Sequence, residues 1–134
     1  MKYLIYSILS LLILTSVFSC TKSAGTGGQA TIRGKVIVDN INILGDTLAS
    51  YDAQDHDVFI IYGNNNNTHN DDAKTSYDGT FEFNFLNVGD YTLFTYSDCA
   101  NCSNGEDSVV IISTTIENRD EVIELEEIHI ANFI

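Results

Sequence analysis

The sequence predicts an all-β fold, an antiparallel β-sandwich of about seven strands. Three observations carry that expectation. Apolar and polar residues alternate with period two along several short stretches. Polar turn signals, above all Asp78-Gly79 and Gly89-Asp90, separate those stretches. No window holds helical periodicity over three turns, and the chain has no internal repeat. Strands with no helices to cover them bury an apolar face by packing two sheets together.

In the first strand Ile32, Gly34, Val36 and Val38 alternate with Arg33, Lys35 and Ile37. Residues 39–56 are irregular and acidic, and are expected to form a long connection. Val58 to Tyr62 (VFIIY) is a continuous apolar run that fits a central strand. The run GNNNNTHNDD at 63–72 is too polar for a core and reads as an exposed hairpin loop. Asp78-Gly79 follows the stretch 74–77 and precedes TFEFNF, a strong hairpin signal because both residues tolerate positive φ. Phe81, Phe83 and Phe85 alternate with Glu82 and Asn84, so one face is expected to carry three rings. Gly89-Asp90 opens the strand YTLFTYS at 91–97. Val110, Ile112 and Ile116 supply a further apolar face. In the last strand Ile123 and Leu125 share one parity and Ile128 and Ile130 the other. A β-bulge near Glu126-Glu127 would turn both pairs inward.

The segment TSYDGTFEFNFLNVGDYTLFTYS (75–97) resembles the T-x-x-D-G-x-[FY]-x-F-x-x-L-x-x-G-x-Y-x-[LVI] stretch of carboxypeptidase regulatory-like, or prealbumin-like, β-sandwich domains. Thr75, Asp78, Gly79, Phe81, Phe83, Leu86, Gly89, Tyr91 and Leu93 fall in register. TIRGKVIV (31–38) and DVFIIYG (57–63) fit the opening strands of that family. The resemblance implies a sandwich used as an accessory module in adhesins, transporters and enzymes, with no shared catalytic residues. Residues 39–56 depart from the short connection usual there.

The first twenty residues, MKYLIYSILSLLILTSVFSC, have the charge, apolar stretch and small-residue layout of a secretory signal. The apolar run is shorter than the ~20 residues of a membrane span. Cys20 at the cleavage point resembles the bacterial lipobox, which implies a diacylated cysteine at the mature terminus and a membrane held through lipid. The organisation expected is a signal peptide over 1–19, a lipidated cysteine and flexible tether over 20–30, and a β-sandwich over 31–134. No acidic residue follows Cys20 before Asp39, so the acidic signal for surface display is missing. A periplasmic position in a Gram-negative envelope is therefore favoured over the cell surface.

The whole chain carries six basic and nineteen acidic residues, a formal charge of −13. Loss of Lys2 with the signal leaves −14 on a mature chain of 115 residues, long enough for one core. Such a surface repels nucleic acid and anionic lipid, so neither is an expected ligand.

Candidate chemistry is sparse. Cys99-Ala-Asn-Cys102 is a C-x-x-C in a polar loop; a disulfide, half a zinc site and a redox motif are its possible readings. A redox motif would sit at a helix start, where its thiolate is stabilised, and no helix is expected there. An oxidising compartment favours the disulfide. His56, His69 and His129 lack metal-ligand spacing. Asp52, Asp55 and Asp57, with the pair Asp71-Asp72, offer oxygen ligands to calcium but not in the spaced loop pattern of a calcium hand. Asp46-Thr47-Leu48 and Asp107-Ser108-Val109 resemble a short acceptor motif for periplasmic O-glycosylation.

These features point to a lipid-anchored, non-catalytic structural or binding module with an envelope protein or glycan as partner and no cofactor. The alternative is a metal-dependent accessory enzyme or calcium-binding factor using the acidic loops 39–57 and 63–72.

Overall fold

In a computed structural model, residues 23–63, 68–102 and 106–134 are described. They form nine strands and no helix: β1 (Thr26–Ile41), β2 (Thr47–Asp52), β3 (Asp57–Tyr62), β4 (Asp71–Lys74), β5 (Thr80–Leu86), β6 (Gly89–Ser97), β7 (Ser108–Ile116), β8 (Val122–Glu124) and β9 (Ile128–Phe133). The segment 1–19 expected as a signal peptide, Cys20, asparagines 64–67 and Ser103-Asn104-Gly105 lie outside the described residues.

Two sheets stack as a β-sandwich. Sheet one is built on the long strand β1. One edge of β1 pairs antiparallel with β5 along its first part and with β2 along its last. The other edge pairs with β8 and then β9, both parallel to it. Sheet two runs β4-β3-β6-β7 with every neighbour antiparallel. Between the sheets lie Ile32, Val36, Val58, Ile60, Phe81, Phe83, Leu86, Tyr91, Leu93, Ile116, Ile128 and Ile130, each at most 5% exposed. Burying each large side chain stabilises the fold by ~1.5–3 kcal/mol. Several residues of the 75–97 stretch hold this core and its turns. Phe81 and Phe83 pack edge to face at 6.0 Å. The Tyr91 hydroxyl reaches back to the Asn87 carbonyl at 2.7 Å and accepts the Gly25 N–H at 3.0 Å. Gly89 has φ +145°, and a Cβ there would stand 2.8 Å from the Ala24 nitrogen.

The expected phase change in the last strand is present. β1 advances three residues, from Arg33 to Val36, while its partner advances four, from Glu124 to Ile128. The extra residue divides the expected single strand into β8 and β9 and leaves Ile123, Leu125, Ile128 and Ile130 all against the core.

Several expectations are corrected. The strands number nine rather than seven, and β1 pairs in parallel with the last two. Residues 39–56 are not a loose connection: β1 runs to Ile41 and turns into β2. The Asn42 side-chain oxygen accepts the N–H groups of Leu44 and Asp46, both at 2.9 Å, and closes that turn. β2 is exposed along nearly its whole length and its apolar residues do not alternate, so it carries no period-two signal. Asp78-Gly79 makes a tight turn but not a hairpin, because β4 belongs to sheet two and β5 to sheet one. The Thr75 hydroxyl donates to the Ala53 carbonyl at 2.5 Å and accepts the His56 N–H at 2.8 Å, which draws the chain away from β5 before the turn. Finally, Phe85 does not share the face of Phe81 and Phe83. It has φ +59° and is 71% exposed, and Leu86 takes the inward place. Between Ala30 and Ile32, β1 advances two residues while β5 covers three, the mark of a bulge.

β1 also begins at Thr26, inside the stretch expected as tether, and Ala30 is fully buried.

Candidate functional site

A sheet facing water usually alternates apolar residues inward with polar residues outward. Sheet two breaks that rule. Val58, Ile60, Leu93 and Thr95 point into the core, yet the outward positions of β3 and β6 carry Phe59, Ile61, Phe94 and Tyr96. Register brings them together. Asp72, Phe59, Phe94 and Ile111 form one row across all four strands, and Tyr96 lies opposite Val109 in the next.

Phe59 and Phe94 stack with centroids 5.0 Å apart and planes 20° apart. The Tyr96 ring stands edge-on to both at 5.9 Å. His69, from the β3–β4 loop, closes against Phe59 at 4.8 Å. Ile111 and Tyr96 remain 64% and 45% exposed, so the cluster faces solvent rather than a core. Polar groups border it: Asp72 on one side, and Thr92 beside Ser113 on the next row.

Tyr96 also borders a cavity of about 300 Å³ at the end of the sandwich, lined among others by Tyr51, His56, Asp98, Asp107 and Asn132. β2, β1 and β9 form its wall from sheet one, and the β6–β7 loop ties across to it. There the Asp98 N–H donates to the Ala131 carbonyl at 3.1 Å, and the Asp98 carboxylate accepts the Phe133 N–H at the same distance. His56 is half-buried, and that burial draws its pKa below the ordinary histidine value, against the opposing charge of Asp57. The Thr95 hydroxyl donates to the Asp57 carbonyl, so it accepts from His56 Nε2 at 2.7 Å. In its neutral form the ring therefore carries its proton on Nε2.

The expected chemistry is placed as follows. Cys99 and Cys102 sit at disulfide-bonding distance, with Cα atoms 5.5 Å apart, in the β6–β7 loop. Asp52 is paired with Lys35 at 2.7 Å. Lys74 stands between Asp55 and Asp57, at 3.6 and 3.0 Å. Asp71 accepts the Asp72 N–H, and both lie on exposed β4. The acidic residues are thus shared out among lysines and backbone. Among the described residues no three His, Cys, Asp or Glu side chains converge as a metal would require. Of the two acceptor motifs, Thr47 is exposed, while the Ser108 hydroxyl donates to the Ser97 carbonyl at 3.2 Å.

One grouping was missed in the sequence because its members lie far apart. Ser50, Asp39 and His129 meet on the outer face of sheet one, with the serine hydroxyl 2.5 Å and the His129 Nδ1 2.8 Å from the carboxylate. The order is wrong for hydrolysis. The carboxylate stands between serine and imidazole, so the histidine cannot take the serine proton.

Neither a known family of protein sequences nor any curated protein matches this chain. Among solved structures, a candidate carbohydrate-binding protein from Pseudomonas aeruginosa is 13% identical, with a TM-score of 0.47 over 86% of this chain and 94% of that one. (S)-allantoin synthase is 12% identical, with a TM-score of 0.44 over 78% of this chain. This chain spans 42% of the synthase, less than half of its length. At such identities these likenesses say nothing of activity here.

Proposed function

We propose that this chain is a non-catalytic carbohydrate-binding module, held in a Gram-negative envelope by lipid on Cys20. The observation that carries the reading is the solvent-facing cluster of Phe59, Phe94, Tyr96 and His69 on sheet two. Aromatic rings contact the C–H faces of sugars, while carboxylates, amides and hydroxyls at their edges bind the sugar hydroxyls. Asp72, Thr92 and Ser113 stand in that position. The adjoining cavity extends the same chemistry with Tyr51, Asp98 and Asn132. Displacing water from an apolar surface drives such contacts, and the polar rim sets their direction.

The test is titration of the detergent-solubilised chain with a panel of envelope and plant polysaccharides. Tyr96→Ala and Phe94→Ala are expected to weaken binding about tenfold each, the equivalent of ~1.4 kcal/mol. Equal affinity in both variants, or no polysaccharide bound by the parent chain, would overturn the reading.

A further inference from the structure

We propose that the tethered end of the sandwich docks on a phospholipid surface, with the Phe85 ring seated among the headgroups. The proposal rests on lipidation of Cys20. Its own evidence is Phe85, which combines two unfavourable features. Its φ of +59° lies in the left-handed region that bulky side chains rarely adopt, and its ring is 71% exposed. Glycine or asparagine would make the same bulge with less strain and no apolar surface in water. Residues held in such conformations cluster at ligand clamps and other contact sites.

Position identifies what is contacted. Leu86, next to Phe85, pairs with Thr26. The N–H of Asn87 donates to the Gly25 carbonyl at 2.8 Å, and Gly25 is also held by the Tyr91 hydroxyl. The chain is therefore fixed to the sandwich from Gly25 onward. Five residues farther back stands Cys20, no more than about 18 Å away when fully extended. An acylated Cys20 keeps Phe85 within reach of the bilayer at all times. Val122, opposite Thr31 on β8, is exposed at the same end.

Charge selects the lipid. Glu117, Asp120 and Glu121 lie in the β7–β8 connection at the same end, beside Arg119. An anionic surface would be repelled, so zwitterionic headgroups are the fitting partner.

The chain contains no tryptophan, so one introduced indole reports alone. The lipidated full chain carrying Phe85→Trp, or Val122→Trp as a second reporter, would be reconstituted in phosphatidylcholine vesicles. Ile43→Trp, at the far end of β1, is the control. With docking, the Phe85→Trp and Val122→Trp emissions shift to the blue and are quenched by lipids brominated near the headgroup. The Ile43→Trp emission does neither. Phosphatidylglycerol vesicles at low salt reduce the quenching. If the protein floats with vesicles but both reporters emit as in water, docking is refuted while the lipid anchor stands. If the protein does not float, the anchor and the docking fail together. Quenching undiminished by phosphatidylglycerol refutes the choice of lipid.

Discussion

His56 shows how one buried side chain makes stability depend on pH. Its pKa is lowered in the folded state by burial, so folding favours the neutral ring. The contribution is complete above the ordinary histidine value of about 6.5 and is lost as pH falls through and below it. Denaturant midpoints measured between pH 8 and 5 are expected to drop on the acid side, and His56→Gln should flatten that drop. A parallel curve for the variant would show that the ring titrates freely. Gly79 is a sharper case. With φ +76° and a Cβ that would stand 2.5 Å from the Val36 carbonyl oxygen, Gly79→Ala should cost more than ~1 kcal/mol. Phe83→Ala should cost ~3–5 kcal/mol, because the ring is 4% exposed between two sheets. An unchanged melting temperature would place that ring outside the core. Gly79 and Phe83 were legible in the sequence as a turn glycine and an inward aromatic, although the same alternation misplaced Phe85. Phe59, Phe94 and Tyr96 were not. In VFIIY and YTLFTYS both parities are apolar, a pattern shared with strands covered on both faces.

At the scale of elements, the bulge in β5 separates two demands on one strand. Leu86 completes the core while Phe85 is turned out at positive φ. Phe85→Asn should therefore raise stability by up to about 1 kcal/mol, read from the denaturant midpoint. A loss of stability would mean that the ring packs on the domain after all. The β6–β7 loop offers a second test. A ring closed by cysteines three positions apart restricts few unfolded conformations, so replacing Cys99 and Cys102 with Ser should cost less than the ~3 kcal/mol of a fifteen-residue loop. The loop also carries Asp98, which bonds to β9, so the same pair of substitutions should loosen the cavity wall. The divided last strand was readable from the parity switch of Ile123, Leu125, Ile128 and Ile130. The hairpin of β1 and β2 was not, because an exposed strand without apolar alternation leaves only pairing to define it.

For the molecule as a whole, the sandwich class followed from period-two alternation and turn punctuation. The assignment of strands to sheets did not, since Asp78-Gly79 looks the same whether it joins neighbours or carries the chain across the core. Attachment is tested by Cys20→Ala, which should leave an uncleaved precursor or release the domain to the soluble fraction. A processed chain that still fractionates with membrane would refute the lipid anchor. The pairing of β1 has a further consequence, in the order of assembly. β1 is the central strand of sheet one, and it is synthesised first. Every partner it needs comes later: β2 within a few residues, β5 about fifty residues on, and β8 and β9 about ninety residues on. Contacts so distant in sequence make folding slow, and they leave one edge of β1 unpaired until β8 and β9 emerge. The nascent chain must therefore wait open, so a ribosome stalled near residue 124 should hold a protease-sensitive chain.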